Sequence, residues 1–241
     1  MAHSEVDKRK DAVRRSVWGL LDREGVVVGG SSYGYIPDFV GADEAAARLG
    51  DLPVWTSARV IKSVPDKAQL PARVRALRDG KTVYMAVPKL AGLPPFYLLD
   101  PAHLAVPPEE AAASRTAETI ARRVGLDEMA PVDLVLCGSV AVTPRGARLG
   151  KGAGYSDIEV ALLQESALIG PETTIVTTVH DLQVIDDDLP ETEHDFRVDL
   201  IVTPTEVIAC GPPKRPAGLL WEHLSPDKIA AIPILAARAP K

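Results

Sequence analysis

The stretch VDLVLCGSVAVT, residues 132–143, is apolar at almost every position, the pattern of a strand covered on both faces. TTIVTTV (173–179) and FRVDLIVT (196–203) read the same way. Between the first two, SDIEVALLQESALIG (156–170) repeats its apolar residues at helical spacing. The alternation extends upstream. Residues 5–24 predict an opening helix with Val6, Val13, Val17, Leu20 and Leu21 on one face, Lys8, Arg9, Lys10, Arg14 and Arg15 elsewhere, and a stop at Gly25. A flexible GGSSYGYIPD (29–38) follows, then a short helix, DEAAARL (43–49). ARVIKSV (58–64) predicts a strand, LPARVRALRDG (70–80) a helix with a glycine stop, and TVYMAV (82–87) a strand closed by Pro88. LAGLPPFYLLDP (90–101) is a loop with one short strand, and PEEAAASRTAETIARRVG (108–125) an alanine-faced helix.

Strands alternating with helices imply an α/β three-layer sandwich with a mainly parallel, Rossmann-like central sheet. The expected organisation is one α/β domain over residues 1–210. A Pro-rich extension, 211–241, packs on it, with helical turns around GLLWEHLSPDKIA (218–230). In such folds ligands collect at the carboxyl ends of strands, on loops that lead into helices. RLGKGAGYSD (148–157) holds that position, after one apolar strand and before a helix.

Gly150, Gly152 and Gly154 alternate in this loop without forming a Walker A or dinucleotide fingerprint. Their chemistry still suits a phosphate: backbone amides approach an anion without Cβ interference, a helix N-terminus adds unpaired donors, and Arg148 and Lys151 add charge. A second reading is local. Ser156 to Glu159 spells S-D-I-E, a capping box. The two readings are compatible for Ser156 and compete for Asp157, which either complements the helix dipole or holds Mg²⁺ beside phosphates. Lys10 and Arg14, at i and i+4, share a helical face that is either solvated or directed at a ligand.

Composition narrows the function classes. A net charge of −6 and pI near 5.4 disfavour generic nucleic-acid binding, so a polyanionic ligand needs locally placed cations. Two cysteines, Cys137 and Cys210, make neither a disulfide framework nor a zinc cluster and point to a reducing cytoplasm. The N-terminal stretch lacks an apolar signal core, and no apolar run approaches membrane-spanning length. Ser139 lacks a G-x-S-x-G elbow, which disfavours a serine hydrolase. Cys137 reads as an inert buried thiol, and Trp18, Trp55 and Trp221 as core or tail packing. His180-Asp181 and His194-Asp195 read as loop hydrogen bonders, and 185–188 as a solvated acidic turn.

DLVLCGSVAVTPRGARLGKGAGYSD resembles the signature of the 5-formyltetrahydrofolate cyclo-ligase family, an apolar strand followed by G-x-R-[LI]-G-x-G-x-G-Y-Y-D. Gly146, Arg148, Leu149, Gly150, Gly152, Gly154, Tyr155 and Asp157 fit it. KDAVR supplies Lys10 and Arg14 of an N-terminal K-x-x-[LV]-R, and RALRDGKTVYMAVP matches a second block. HDLQVIDDDLPETEHDFRVDLIVTP brings Gln183, Pro190, His194 and Asp195 into the family's order. The resemblance covers about residues 5 to 210.

The resemblance implies an ATP- and Mg²⁺-dependent ring closure of 5-formyltetrahydrofolate to 5,10-methenyltetrahydrofolate through a phosphorylated formyl oxygen. It places ATP on Lys10, Arg14, Gly150, Lys151, Gly152, Ala153, Gly154, Tyr155 and Asp157. Mg²⁺ falls on Asp157, the catalytic cations are Lys10, Arg148 and Lys151, and the formyl substrate lies against Asp66, Tyr155 and Ser156. The implied partners are small molecules, with neither nucleic acid nor membrane. Ser156 stands where the family has a second tyrosine, and Ile158 where an arginine commonly follows. In SVPDKAQ (63–69), Asp66 and Gln69 stand for the family's glutamate and threonine. These departures resemble a divergent branch, the methenyltetrahydrofolate synthetase domain-containing proteins. They leave open two further readings: a paralogous cyclodehydratase acting on another N-formyl or amide compound, and a non-catalytic nucleotide- or folate-binding module.

Overall fold

α1 (Glu5–Arg23) buries the apolar stripe that its pattern defines, Val17, Trp18 and Leu21, and with it two cations, Lys10 and Arg14. The computed structural model describes residues 5–240. Met1 to Ser4, where the reading for a signal core begins, and Lys241, the last residue of the tail, lie outside it. An irregular segment closes on itself through a bridge between Val27 and Phe39 before α2 (Ala42–Gly50) and α3 (Pro53–Ser57). Then come β1 (Val60–Ser63), α4 (Leu70–Arg78), β2 (Thr82–Ala86) and β3 (Phe96–Leu99). α5 (Pro108–Ala111), α6 (Ser114–Ile120), β4 (Arg122–Val124) and β5 (Leu134–Cys137) follow. The C-terminal half holds β6 (Ala141–Val142), β7 (Arg148–Leu149), α7 (Tyr155–Glu165), β8 (Thr174–Thr178), β9 (Leu200–Val202) and β10 (Val207–Ala209). α8 (Pro226–Ala231) and α9 (Pro233–Arg238) end it.

Among the described residues, eight strands form one sheet in the order β10-β9-β8-β5-β1-β2-β3-β4. The central run from β9 to β2 is parallel, with Ile61 facing Leu134 and Val135 facing Ile175. β10, β3 and β4 add antiparallel edges. Alternate residues serve two cores. Ile61, Val83, Met85, Leu134, Leu136 and Val176 pack with α1, α2 and α4. Tyr84, Val135, Cys137, Ile175 and Ile201 pack with α7 and with Leu219, Ile232 and Leu235 of the tail. The fold is a three-layer α/β sandwich. Strands β2 to β4 are added to one side of β1 and β5, β8, β9 and β10 to the other, so the order of strands reverses between the parallel β1 and β5, and the crevice at their carboxyl ends is the topological switch point.

Two expected elements differ. The apolar run 132–143 is not one strand. It breaks at Gly138, whose carbonyl receives Arg148, and its second half forms the β6–β7 hairpin, with Ala141 opposite Leu149. The glycine loop therefore leaves from a hairpin and not from the parent strand. The alanine-faced stretch 108–125 divides into α5, α6 and β4, because Arg122 to Val124 pair with Phe96 to Leu98 at the sheet edge. Edge pairing outweighs the helix propensity of three or four residues. Among the described residues no helix is long and apolar enough to cross a membrane.

Candidate active site

α7 begins two residues before the capping box would place it. Tyr155 is its first residue and Gly154, at φ 69°, its N-cap, with no side-chain cap. Ser156 sits inside the first turn. Glu159 turns instead into the sheet and pairs with Lys62 of β1, and both are buried. The S-D-I-E reading is thus overturned: a left-handed glycine starts the helix, and a long-range ion pair claims the glutamate. Burial pushes the Glu159 carboxyl up, while the charge and hydrogen bond of Lys62 act against that shift.

The loop is braced from both sides. Arg14 Nε donates to the Gly150 carbonyl at 2.8 Å, and its Nη1 pairs with Asp11. Arg148 is 5% exposed. It reaches Asp157 at 3.3 Å and the Gly138 carbonyl at 3.2 Å, and it lies 4.6 Å over the Phe196 ring. A Cβ on Gly150 would stand 2.8 Å from the Arg148 guanidinium, so the first glycine is there for space. Gly152, at φ 98°, and Gly154 are there for conformation. Among the described residues, the amides of Gly152, Ala153 and Gly154 donate to no protein oxygen. These are three free N–H groups at the start of an eleven-residue helix.

Two cavities flank this loop. One, of about 320 Å³, lies between it and the tail, against Ile158, Leu219, Leu224, His194, His223 and Lys228. The other, of about 380 Å³, lies toward the carboxyl end of β1, against Ile36, Asp66, Arg148, Lys151, Tyr155 and Ser156. Ala153, Gly154 and Asp157 line both. The sequence-derived residues thus divide. Gly152 faces the first cavity; Gly150, Lys151, Arg148, Asp66, Tyr155 and Ser156 face the second. Lys10 and Arg14 line neither. Lys10 is bound to Asp195 at 2.6 Å, and Asp195 also accepts from the Thr192 amide and hydroxyl. Burial raises the Asp195 carboxyl, but these hydrogen bonds and the Lys10 charge outweigh it and hold the group below its usual value. Its neighbour His194 lines the first cavity.

Two supporting residues, Arg73 and Lys62, escaped the sequence reading, and two more, Gln69 and Glu159, make contacts there that it did not foresee. Arg73, 2% exposed, donates to the carbonyls of Val64, Pro65 and Asp66 and to Ala112, fixing the loop that carries Asp66. Burial pushes its pKa down to about 10 although Asp66 opposes this. Gln69 bridges to Thr178 at the end of β8, at 3.1 Å. Lys62 and Glu159 complete the set. The signal for Lys62 and Glu159 was available: each is a lone charge in an otherwise apolar run, ARVIKSV and DIEVALL. His180 is a loop hydrogen bonder, its Nδ1 accepting from the Leu182 amide. Gln183 donates to the carbonyls of Ser139 and Val140.

Among the described residues no three of His, Cys, Asp and Glu gather as a preformed metal centre. The donor set nevertheless fits a Mg²⁺ that arrives with phosphates, since that ion takes one or two protein carboxylates and fills the rest with phosphate oxygens and water. Asp157 uses one oxygen on Arg148, and the other has no protein partner among the described residues.

Residues 6–204 match the model of the 5-formyltetrahydrofolate cyclo-ligase family. The chain is 37% identical over 235 residues to a methenyltetrahydrofolate synthase domain-containing protein of Mus musculus, covering 94% of this chain and 62% of that protein. It is 36% identical over 234 residues to the protein of the same name from Homo sapiens, covering 94% and 60%. It therefore spans about three fifths of these curated relatives. The NMR structure of Aquifex aeolicus 5,10-methenyltetrahydrofolate synthetase superposes with a TM-score of 0.52 at 20% identity, over 86% of this chain and 93% of that one, a likeness of fold.

Proposed function

Because this chain belongs to the 5-formyltetrahydrofolate cyclo-ligase family, we propose that it is an ATP- and Mg²⁺-dependent ligase that closes 5-formyltetrahydrofolate to 5,10-methenyltetrahydrofolate. The observation that carries this reading is the wall shared by two cavities, made of Ala153, Gly154 and Asp157. A phosphoryl donor on one side and an acceptor on the other would meet at that wall, and phosphoryl transfer asks mainly for positioning and charge neutralisation.

What ATP supplies when bound is a phosphoryl group for the formyl oxygen, which leaves a carbon far more readily as phosphate than as water. The chain's part is geometric and electrostatic. The amides of Gly152, Ala153 and Gly154 donate to no protein oxygen among the described residues and would be free to meet the anion. Arg14 braces the loop by its hydrogen bond to the Gly150 carbonyl, and Lys10 fixes the segment that bears His194 through Asp195. Arg148 orients Asp157 through one carboxylate oxygen, and the Asp157 carboxylate would hold Mg²⁺. On the acceptor side, Lys151 and Asp66 pair at 3.2 Å and balance each other's charge at the cavity wall. Tyr155 and Ser156 line the acceptor's wall, and confinement there keeps the substrate's N10 beside its formyl carbon. The site would operate in the cytoplasm.

The test is direct. Purified protein with 5-formyltetrahydrofolate and Mg·ATP is expected to produce the methenyl chromophore and ADP in equal amounts. ADP release only with another N-formyl or amide compound would move the assignment to the paralogous cyclodehydratase, and nucleotide binding without any ADP would leave a binding module.

A further inference from the structure

The proposed donor cavity has one wall outside the family match, which ends at residue 204. That wall is the tail. It is anchored rather than draped: Leu219 and Leu235 enter the α7-side core, and the Leu219 amide donates to Glu165 of α7 at 2.7 Å. The Ser225 hydroxyl accepts from the Lys228 amide at 3.2 Å and sets the start of α8. So placed, Lys228 overhangs the glycine loop. Its Nζ donates to the Ala153 carbonyl and lies 4.0 Å above the Tyr155 ring.

Charge accounting singles this residue out. Each cation that the sequence motifs nominate already has a carboxylate: Lys10 has Asp195, Arg14 has Asp11, Arg148 has Asp157 and Lys151 has Asp66. Lys228 is the one lysine or arginine lining the donor cavity among the described residues, and it has no carboxylate partner there. A carbonyl and an aromatic face leave its charge uncancelled, and an ammonium has three protons to donate. Burial pushes its pKa down, a cost that an arriving anion would relieve.

We propose that the C-terminal tail completes the nucleotide pocket and that Lys228 is a phosphate-binding residue, with Leu219 and Leu224 as apolar surface for the base. This rests on the ATP-dependent reading above and extends it to a segment that the family match does not reach.

The experiment is calorimetric titration of the full chain with Mg·ATP and with adenosine, on wild type, Lys228→Met and Lys228→Arg, with melting curves as a folding control. Methionine keeps the stem against Tyr155 and removes the charge. Lys228→Met is expected to weaken Mg·ATP about 10- to 100-fold, the worth of one charge-assisted contact, to leave adenosine affinity unchanged, and to be largely rescued by arginine. Equal Mg·ATP affinity in wild type and Lys228→Met would overturn the role of Lys228 while leaving ATP dependence standing. So would equal losses for adenosine and Mg·ATP, which would mark a packing effect. Wild type that binds no Mg·ATP would overturn both readings. Should Lys228→Met melt early, Lys228→Gln is titrated at lower temperature against the same criteria.

Discussion

The two cavities on either side of the glycine loop are similar in size and opposite in electrostatic preparation. The one toward β1 is lined by carboxylates that already have cations: Asp66 with Lys151, Asp157 with Arg148, Glu159 with Lys62. Apart from the exposed Lys89, its charge is balanced before any ligand arrives. The one toward the tail offers free amides, an unneutralised lysine, two histidines and leucine side chains. A charge-balanced pocket suits a substrate that must be oriented. An electropositive rim beside an apolar wall suits a nucleotide. On the proposed reading, the difference lets one loop give its backbone to one ligand and its side chains to the other.

Breaking the balance on the acceptor side should cost most. Lys62→Met leaves Glu159 buried without its cation and is expected to destabilise the fold by about 3–5 kcal/mol. The double change Lys62→Met with Glu159→Leu should recover most of it, read by chemical denaturation. A double variant no more stable than the single would mean that the pair itself, and not the orphaned charge, is what the fold requires.

The shared wall comes next. Asp157→Asn removes the carboxylate assigned to Mg²⁺ and is expected to slow turnover roughly 10²–10³-fold, the loss seen when one oriented electrostatic group is deleted. Turnover within a few-fold of wild type, in protein with an unaltered melting curve, would remove Asp157 from that role.

A pH series sharpens the donor side. The Asp195 carboxyl is held below its ordinary 3.8 in the fold. The stability that this pair contributes is therefore fully present above 3.8 and is lost as pH falls through the lower folded value. Melting temperature followed from pH 6 downward should show this acid limb in wild type and a shallower one in Lys10→Met. Superimposable limbs would mean that the pair is not coupled to folding.

The smallest effect belongs to the partly exposed Lys151–Asp66 pair. Lys151→Met is expected to raise the KM for the formyl substrate a few-fold and to leave stability unchanged, because exposed pairs contribute about 0–1 kcal/mol.

Much of this was legible in the chain. Helical spacing marked α1 and α7, and apolar runs marked β5, β8 and β9. Glycine spacing with Arg148 and Asp157 marked the loop. What escaped was decided by partners distant in sequence. S-D-I-E has the letters of a cap, but Gly154 begins the helix and Lys62, 97 residues away, claims Glu159. The run 132–143 has the composition of one strand, but Arg148 folds back onto Gly138 and the strand breaks there. The tail reads as a Pro-rich extension, and only its docking on α7 brings Lys228 over the loop. Local pattern carries periodicity and turn chemistry. It does not carry which buried charge finds which.

The separation of two ligands by one glycine loop is tested most directly by titrating a non-hydrolysable ATP analogue with Mg²⁺ into protein already saturated with 5-formyltetrahydrofolate. Simultaneous occupancy is expected, with an analogue affinity equal to or higher than that of the free protein. Mutually exclusive binding, with the apparent affinity falling in proportion to the folate added, would contradict it.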